Sequence, residues 1–215
     1  MSRTESDPWD AIVIGSGMGG MTAAAAMSQV GHRVLLLEQH ETLGGLTHSF
    51  SRDGFTWDVG VHYLSGMAPE DRERALLDWV CDTPIEFAPL GSVYDILHIG
   101  SAEPLSLSRP YEAQERDLKD RYPDEAEAIE AWIQAMREGR EAAMKVFPTR
   151  AMPELAGDML DWWNRRAISK WCARTTREVI DDLTDNPELA AVMAAQWGDH
   201  GGRPSKASFA MHALI

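Results

Sequence analysis

Hydrophobic positions along the chain follow two regimes. Residues 10–14 (DAIVI) and 32–39 (HRVLLLEQ) are apolar without alternation, the pattern of parallel strands buried on both faces. Between them, Thr22 to Val30 reads as a helix with Gly31 just past its end. Together they form a β-α-β unit of about thirty residues. Residues 54–64 (GFTWDVGVHYL) alternate loosely and predict a short strand. Pro69 to Val80 predicts a helix with Pro at its first position, and residues 92–108 a β-hairpin turning near Gly100-Ser101. Beyond that the period becomes helical. Pro123 to Phe147 sets Ile129, Trp132, Ile133, Met136, Met144 and Phe147 near one face, and further helices are expected over 154–163, 167–183 and 187–197, the last after an Asn186-Pro187 start signal. The expected fold class is therefore α/β: a Rossmann domain over residues 8–110, then a mainly helical cap region over 111–215 that includes a hairpin at its border.

Glycine is concentrated where the first strand gives way to the first helix, in "AIVIGSGMGGMTAAAA" at residues 11–26. Glycine loses more chain entropy on ordering than any other residue, so a cluster needs a reason. A phosphate supplies one. Its charge is met by backbone N–H groups at a helix start, and side chains there would hold it away. Gly15 allows the tight turn, Gly17 the approach of the pyrophosphate, and Gly20 the close packing of helix on strand, while Ser16, Met18 and Gly19 supply the intervening backbone. The second strand ends in Glu38, followed by Gln39. A carboxylate there can accept both hydroxyls of an adenosine ribose and would repel a 2′-phosphate.

A second glycine pair, Gly44-Gly45 in "EQHETLGGLTHSF", has no place in a nicotinamide-binding unit. With it, "IVIGSGMGGMTAAAAMSQVGHRVLLLEQHETLGGLTHSF" resembles the extended FAD-binding signature of the amine oxidase and phytoene desaturase superfamily. The "GGLTH" form is similar to the branch that holds phytoene dehydrogenases, carotenoid isomerases and retinol saturases. "QWGDHGGRPSKASFAMHALI", residues 196–215, resembles that branch's mid-chain. The resemblance implies FAD as cofactor, with Gly44 and Gly45 near its diphosphate, Leu46 and Thr47 also in the cofactor site, and Asp58, Gly60, Val61 and His62 toward the flavin, Asp58 reading equally as a turn cap. Many amine oxidases carry Arg where this chain has Leu46. The implied activity is hydride transfer at flavin N5 to or from a carbon-carbon bond of a hydrophobic polyene, as desaturase, saturase or isomerase. The alternatives are a nucleotide-binding fragment without turnover and a flavin amine oxidase. The family's length leads us to expect the N-terminal portion of a longer enzyme. No catalytic residue is assigned, and His62 reads either as a flavin neighbour or proton donor or as a structural histidine.

Composition narrows the partners. A net charge of −14 disfavours nucleic acid, whose binding rests on Lys and Arg. Cys81 and Cys172 fit no metal or redox spacing and suggest a reducing compartment, and the polar start "MSRTESDPWD" lacks the apolar core of a secretory signal, so a cytoplasmic location is expected. No His set has metal-ligand spacing. Residues 161–177 (DWWNRRAISKWCARTTR) hold five basic residues, one acid and three tryptophans. They suit either a peripheral contact with lipid headgroups or a packed helix pair whose arginines partner the surplus acids. Met144, Met152, Met159 and Met193 read as pocket lining or as helical core.

Overall fold

The computed structural model describes residues 8–61, 63–101 and 103–215. It divides into two compact units, Met1–Ala88 and Pro89–Ile215.

In the first unit, β1 (Ala11–Ile14) pairs in parallel with β2 (Val34–Leu37) through α1 (Met18–Gln29). The helix starts four residues earlier than its apolar pattern, because Gly19 and Gly20 lie inside its first turn. Val13 faces α1. On the opposite face Ile12 and Ile14 are 57% and 85% exposed, which corrects the expectation of strands buried on both faces. The physical reason is the sheet's width: two strands and one helix cover a single face. A hairpin follows, β3 (Ser49–Arg52) against β4 (Phe55–Asp58), with Asp53 and Gly54 both at positive φ in its turn. α2 spans Arg72–Val80 and begins after Asp71, whose Oδ2 accepts from Ala68 N–H at 2.8 Å. Asp71, rather than the expected Pro69, therefore sets the start.

The second unit holds the core. β5 (Val93–Leu97) and β6 (Leu105–Ser108) form the expected hairpin, with turn residues at Gly100 and Ser101. Leu105 and Leu107 are buried in the helical core, so the hairpin packs with the helices and the division falls at 88/89 rather than at 110. α3 (Tyr111–Arg121) was not legible in the pattern: of its eleven residues only Leu118 is buried. α4 (Ala126–Val146) is the central element and buries Ile129, Trp132, Ile133, Met136, Ala143 and Val146. Met144 and Phe147, expected on that stripe, are exposed, since each stands one position past a buried residue and so about 100° around the helix. α5 (Glu154–Trp163) follows as expected.

The single helix expected over 167–183 is three pieces: α6 (Arg165–Ala167), a π-helical turn at Ile168–Cys172, and α7 (Thr176–Asp181). The break is written in the sequence as Thr175-x-x-Glu178. Thr175 Oγ accepts from Glu178 N–H at 3.2 Å, and the Glu178 carboxylate accepts from Thr175 N–H at 2.7 Å, a capping box that starts a new helix. Asn186 caps α8 (Pro187–Ala194), with Oδ1 accepting from Glu188 and Leu189 N–H. Two short helices close the unit, α9 (Trp197–His200) and α10 (Phe209–His212). Phe209 sits edge-on to Trp132 and within 2.9 Å of where a Cβ on Gly139 would lie, so the glycine in α4 admits α10 to the core.

His212 is 1% exposed. Gly202 N–H donates to His200 Nδ1 at 3.1 Å, which leaves the His200 proton on Nε2, 3.3 Å from His212 Nδ1; His212 Nε2–H then donates to the Met193 carbonyl at 3.0 Å. This sequence of donors needs both imidazoles neutral. Burial pushes His212 from the ordinary 6.5 down to about 4, with Asp199 the nearby charge that opposes the shift. Because the folded value is below the unfolded one, the contribution is complete above about 6.5 and is lost as pH falls toward 4. Urea melts at neutral pH and near pH 4 should show wild type losing about 3 kcal/mol more than a His212→Asn variant. Equal losses would place the acid sensitivity elsewhere.

Candidate functional site

The site stands at the carboxyl ends of β1 and β2, where open α/β sheets bind ligands. Gly15 N–H donates to Leu37 O at 2.7 Å, which closes the sheet, and the chain then turns at Gly15 with φ +97°. The first intrahelical bond of α1 runs from Met21 N–H to Gly17 O. The amides of Met18, Gly19 and Gly20 ahead of it therefore have no acceptor within the helix and point out of its positive end. A Cβ on Gly20 would lie 2.0 Å from the Gly15 carbonyl oxygen, so only glycine fits there, whereas a Cβ on Gly17 or Gly19 would meet nothing within 4 Å. Gly20 is thus closed by packing, as its expected place between helix and strand requires, while Gly17 and Gly19 open onto free space.

The second glycine pair comes to the same place. Gly17 and Gly44 form an isolated parallel bridge, and a Cβ on Gly45 would stand 3.0 Å from Gly17 Cα. Gly44 and Gly45 have φ of +112° and +58° and lead into a 3-10 turn at Gly45–Thr47. Thr47 Oγ1 donates to Gly44 O at 2.7 Å, and His48 Nδ1 contacts Gly45 O. Leu46 is 70% exposed. The segment that holds Val59 and Val61 lies along this turn, with Val59 N–H on His48 O and Val61 N–H on Leu46 O at 3.1 and 3.2 Å. The structure thereby brings Gly15, Ser16, Gly17, Met18, Gly19, Gly20, Gly44, Gly45, Leu46 and Thr47 into one neighbourhood. Gln39 is exposed, and His62 lies outside the described residues.

Ser16 joins the two loops, a role its variable position between Gly15 and Gly17 does not reveal. It is fully buried. Its hydroxyl donates to Glu38 Oε2 at 2.7 Å and accepts from Gly44 N–H at 3.2 Å, while its own N–H donates to the same Oε2 at 2.7 Å. Glu38 Oε1 accepts from His40 N–H at 2.9 Å. The carboxylate is thus turned toward the glycine loop and keeps acceptor capacity on Oε1. The Ser16 amide above all, then the His40 amide and the Ser16 hydroxyl, hold the Glu38 carboxyl down at about 2. Among the described residues, no group of His, Cys, Asp and Glu could hold a metal ion, and both cysteines are free thiols.

Ser16→Ala removes a donor to Glu38 and one of the two acceptors of Gly44 N–H, leaving the Ser16 carbonyl at 3.1 Å. It should cost about 1–3 kcal/mol in chemical melts of the first unit. The Glu38 carboxyl should also rise part of the way toward 4.5, since the larger contribution of the Ser16 amide remains. Carboxyl carbon NMR titration reads this directly: the ionised loop arrangement persists above 4.5 in both proteins, and the variant loses it at a higher pH as acid is added. An unmoved titration would show that the hydroxyl does not hold Glu38.

Residues 13–79 match the model of an NAD(P)-binding Rossmann-like domain. Over 221 residues the chain is 32% identical to all-trans-retinol 13,14-reductase of Danio rerio, covering 100% of this chain and 36% of the reductase. It is 32% identical over 127 residues to prolycopene isomerase 2 of an Oncidium hybrid cultivar, covering 58% of this chain and 22% of the isomerase. Among solved structures it resembles a putrescine oxidase triple mutant redesigned in its cofactor binding, with TM-score 0.53 and 17% identity over 96% of this chain and 40% of that one, a likeness of fold. The chain spans about a third of the reductase's length. The chain is thus similar to retinol 13,14-reductases and prolycopene isomerases over their N-terminal part, and its residues 13–79 match an NAD(P)-binding Rossmann-like domain.

Proposed function

We propose that the chain forms the dinucleotide-binding part of an FAD-dependent oxidoreductase acting on carbon-carbon bonds of a conjugated, hydrophobic substrate. One observation carries the reading: both glycine loops meet at the amino end of α1 and leave free space above Gly17 and Gly19. The residues suit the adenosine diphosphate portion of FAD. The amides of Met18, Gly19 and Gly20 would hold a pyrophosphate, helped by the helix dipole, and Gly44 and Gly45 admit it from the other side. Glu38 would accept a ribose hydroxyl on the lone pairs left on Oε1. It would repel the 2′-phosphate of NADP. Leu46 adds no cation, so the diphosphate charge falls on backbone amides.

The relatives named for retinol and prolycopene support a polyene as substrate class. When bound, the isoalloxazine ring supplies hydride transfer to or from carbon, and the protein's task is to bind, orient and exclude water. Desaturation, saturation and isomerisation are all compatible with that division of labour.

Titration of the purified chain with FAD, followed by flavin absorbance and calorimetry, tests the cofactor. FAD should bind more tightly than NAD, and NADP least. Gly17→Ala fills open space, so it should leave the melting temperature within a few degrees of wild type yet weaken FAD by about a hundredfold, because its methyl group occupies the phosphate's approach. A wild-type chain that ignores FAD, or a Gly17→Ala variant that binds it normally, would remove the basis for the reading.

A further inference from the structure

The arginine- and tryptophan-rich stretch at residues 161–177 resolves into two halves with different surroundings. In the later half Trp171 is buried, and the cations find carboxylates: Lys170 with Glu138 at 2.8 Å, Arg174 with Asp182 at 2.5 Å, and Arg177 with Asp181 at 2.6 Å. That half is a packed helix pair. The earlier half is different. Trp162 and Trp163 are 62% and 74% exposed, and neither Arg165 nor Arg166 forms an ion pair among the described residues, in a chain with a net charge of −14.

The exposed tryptophans belong to a longer stripe. On α5, Leu155, Met159, Trp162 and Trp163 stand at i, i+4, i+7 and i+8, the spacing of one helix face, and all four are exposed, Leu155 at 88% and Met159 at 60%. An amphipathic helix ordinarily turns that face inward. Here the opposite side is committed. A Cβ on Gly157 would lie 2.8 Å from Thr149 O, Thr149 Oγ1 donates to Asp161 Oδ1 at 2.8 Å, and Arg150 pairs with Asp161 at 3.1 Å. Those contacts fix the helix's rotation and leave the apolar stripe facing away from its own unit. At the helix's carboxyl end the Arg165 guanidinium lies 4.5 Å from the Trp162 ring centre and donates to the Trp162 carbonyl at 3.0 Å, which holds a cation beside the stripe. Glu154 and Asp158 occupy the stripe's flank, away from this cationic end.

We infer that this face of α5 is a docking surface for an anionic lipid bilayer: Leu155, Met159, Trp162 and Trp163 enter the headgroup–acyl boundary, and Arg165 and Arg166 meet lipid phosphates. Charge complementarity selects this occupant. Two arginines with no carboxylate, beside paired tryptophans and at one end of an exposed apolar stripe, match the interfacial helix in composition and layout. Each cation near an anionic surface adds attraction that falls off within the Debye length, so binding should be salt-sensitive. No described helix is long and apolar enough to cross a membrane, and the contact we infer is one lying in the interface plane. The inference rests on the second unit alone and stands apart from the cofactor reading.

Flotation of the full chain with vesicles of phosphatidylcholine, with and without phosphatidylserine, is the test. Circular dichroism melts first establish that each variant folds. Wild type should float with the phosphatidylserine vesicles, less so in added salt, with a blue shift of tryptophan emission. Trp162→Ser combined with Trp163→Ser should cut the bound fraction about tenfold. Arg165→Gln combined with Arg166→Gln should abolish the preference for phosphatidylserine. Trp79→Ser, at an exposed tryptophan in the first unit, should change nothing. The inference fails if wild type stays unbound, if the double tryptophan variant floats like wild type, or if Trp79→Ser is as damaging. It also fails if sedimentation shows a dimer that the tryptophan variant dissolves and vesicles leave intact, which would make the stripe a contact between copies.

Discussion

One buried hydroxyl governs the geometry of the candidate site. Two loops that are far apart in sequence must lie within a bond length or two of each other to form a cradle, and glycine backbones have no side chains with which to grip. Ser16 supplies the grip, giving a proton to Glu38 and receiving one from Gly44. A buried hydroxyl with both its roles filled is far more stabilising than one left half-satisfied, because desolvation is charged in full for any missing partner. Glu38 is drawn in by the same residue, so the acid expected to meet a sugar is also an anchor for the loop. The two functions are compatible because a carboxylate accepts at several positions, and the protein takes up one side.

The helical unit follows a different logic. Its core is organised around α4, and neighbouring elements reach it through small residues as much as through large ones: Gly139 lets Phe209 in, and the Trp132 ring meets both Phe209 and His212. The imidazole pair has the same economy as Ser16, with every nitrogen assigned to a donor or acceptor. In both places a polar group sits where an apolar one would pack, and it fixes a single arrangement of the surrounding chain.

The parts of this architecture most legible in the sequence were those fixed by local chemistry. The β-α-β unit, the β5–β6 hairpin, α4 and the Asn186 cap all follow from periodicity and end signals, and each stands close to where those signals put it. In the glycine loop, the turn at Gly15 and the close packing at Gly20 were legible as backbone requirements. What escaped the pattern depended on contacts between distant residues. α3 escaped because a helix that buries only Leu118 leaves almost no apolar period to detect. The break at Thr175 was signalled by its capping box but outvoted by the surrounding helical composition. Ser16 occupies a position that the motif leaves open, and only the approach of Glu38 and Gly44, 22 and 28 residues on, gives its hydroxyl a task. The face of α5 inverted the usual rule, since its periodicity is that of a buried helix while Thr149 and Asp161 hold the other side inward.

The narrow sheet of the first unit carries a liability of its own. Among the described residues β1 bonds to a single neighbour, and the isoleucines on its exposed face, Ile12 and Ile14, are the kind of side chains that stack well against copies of themselves. A bare strand edge with an apolar flank is a template for any chain that can lie alongside it. Concentrated preparations of this polypeptide are therefore prone to grow ordered aggregates from that border, and a charged residue at Ile14 would be the natural gatekeeper against it.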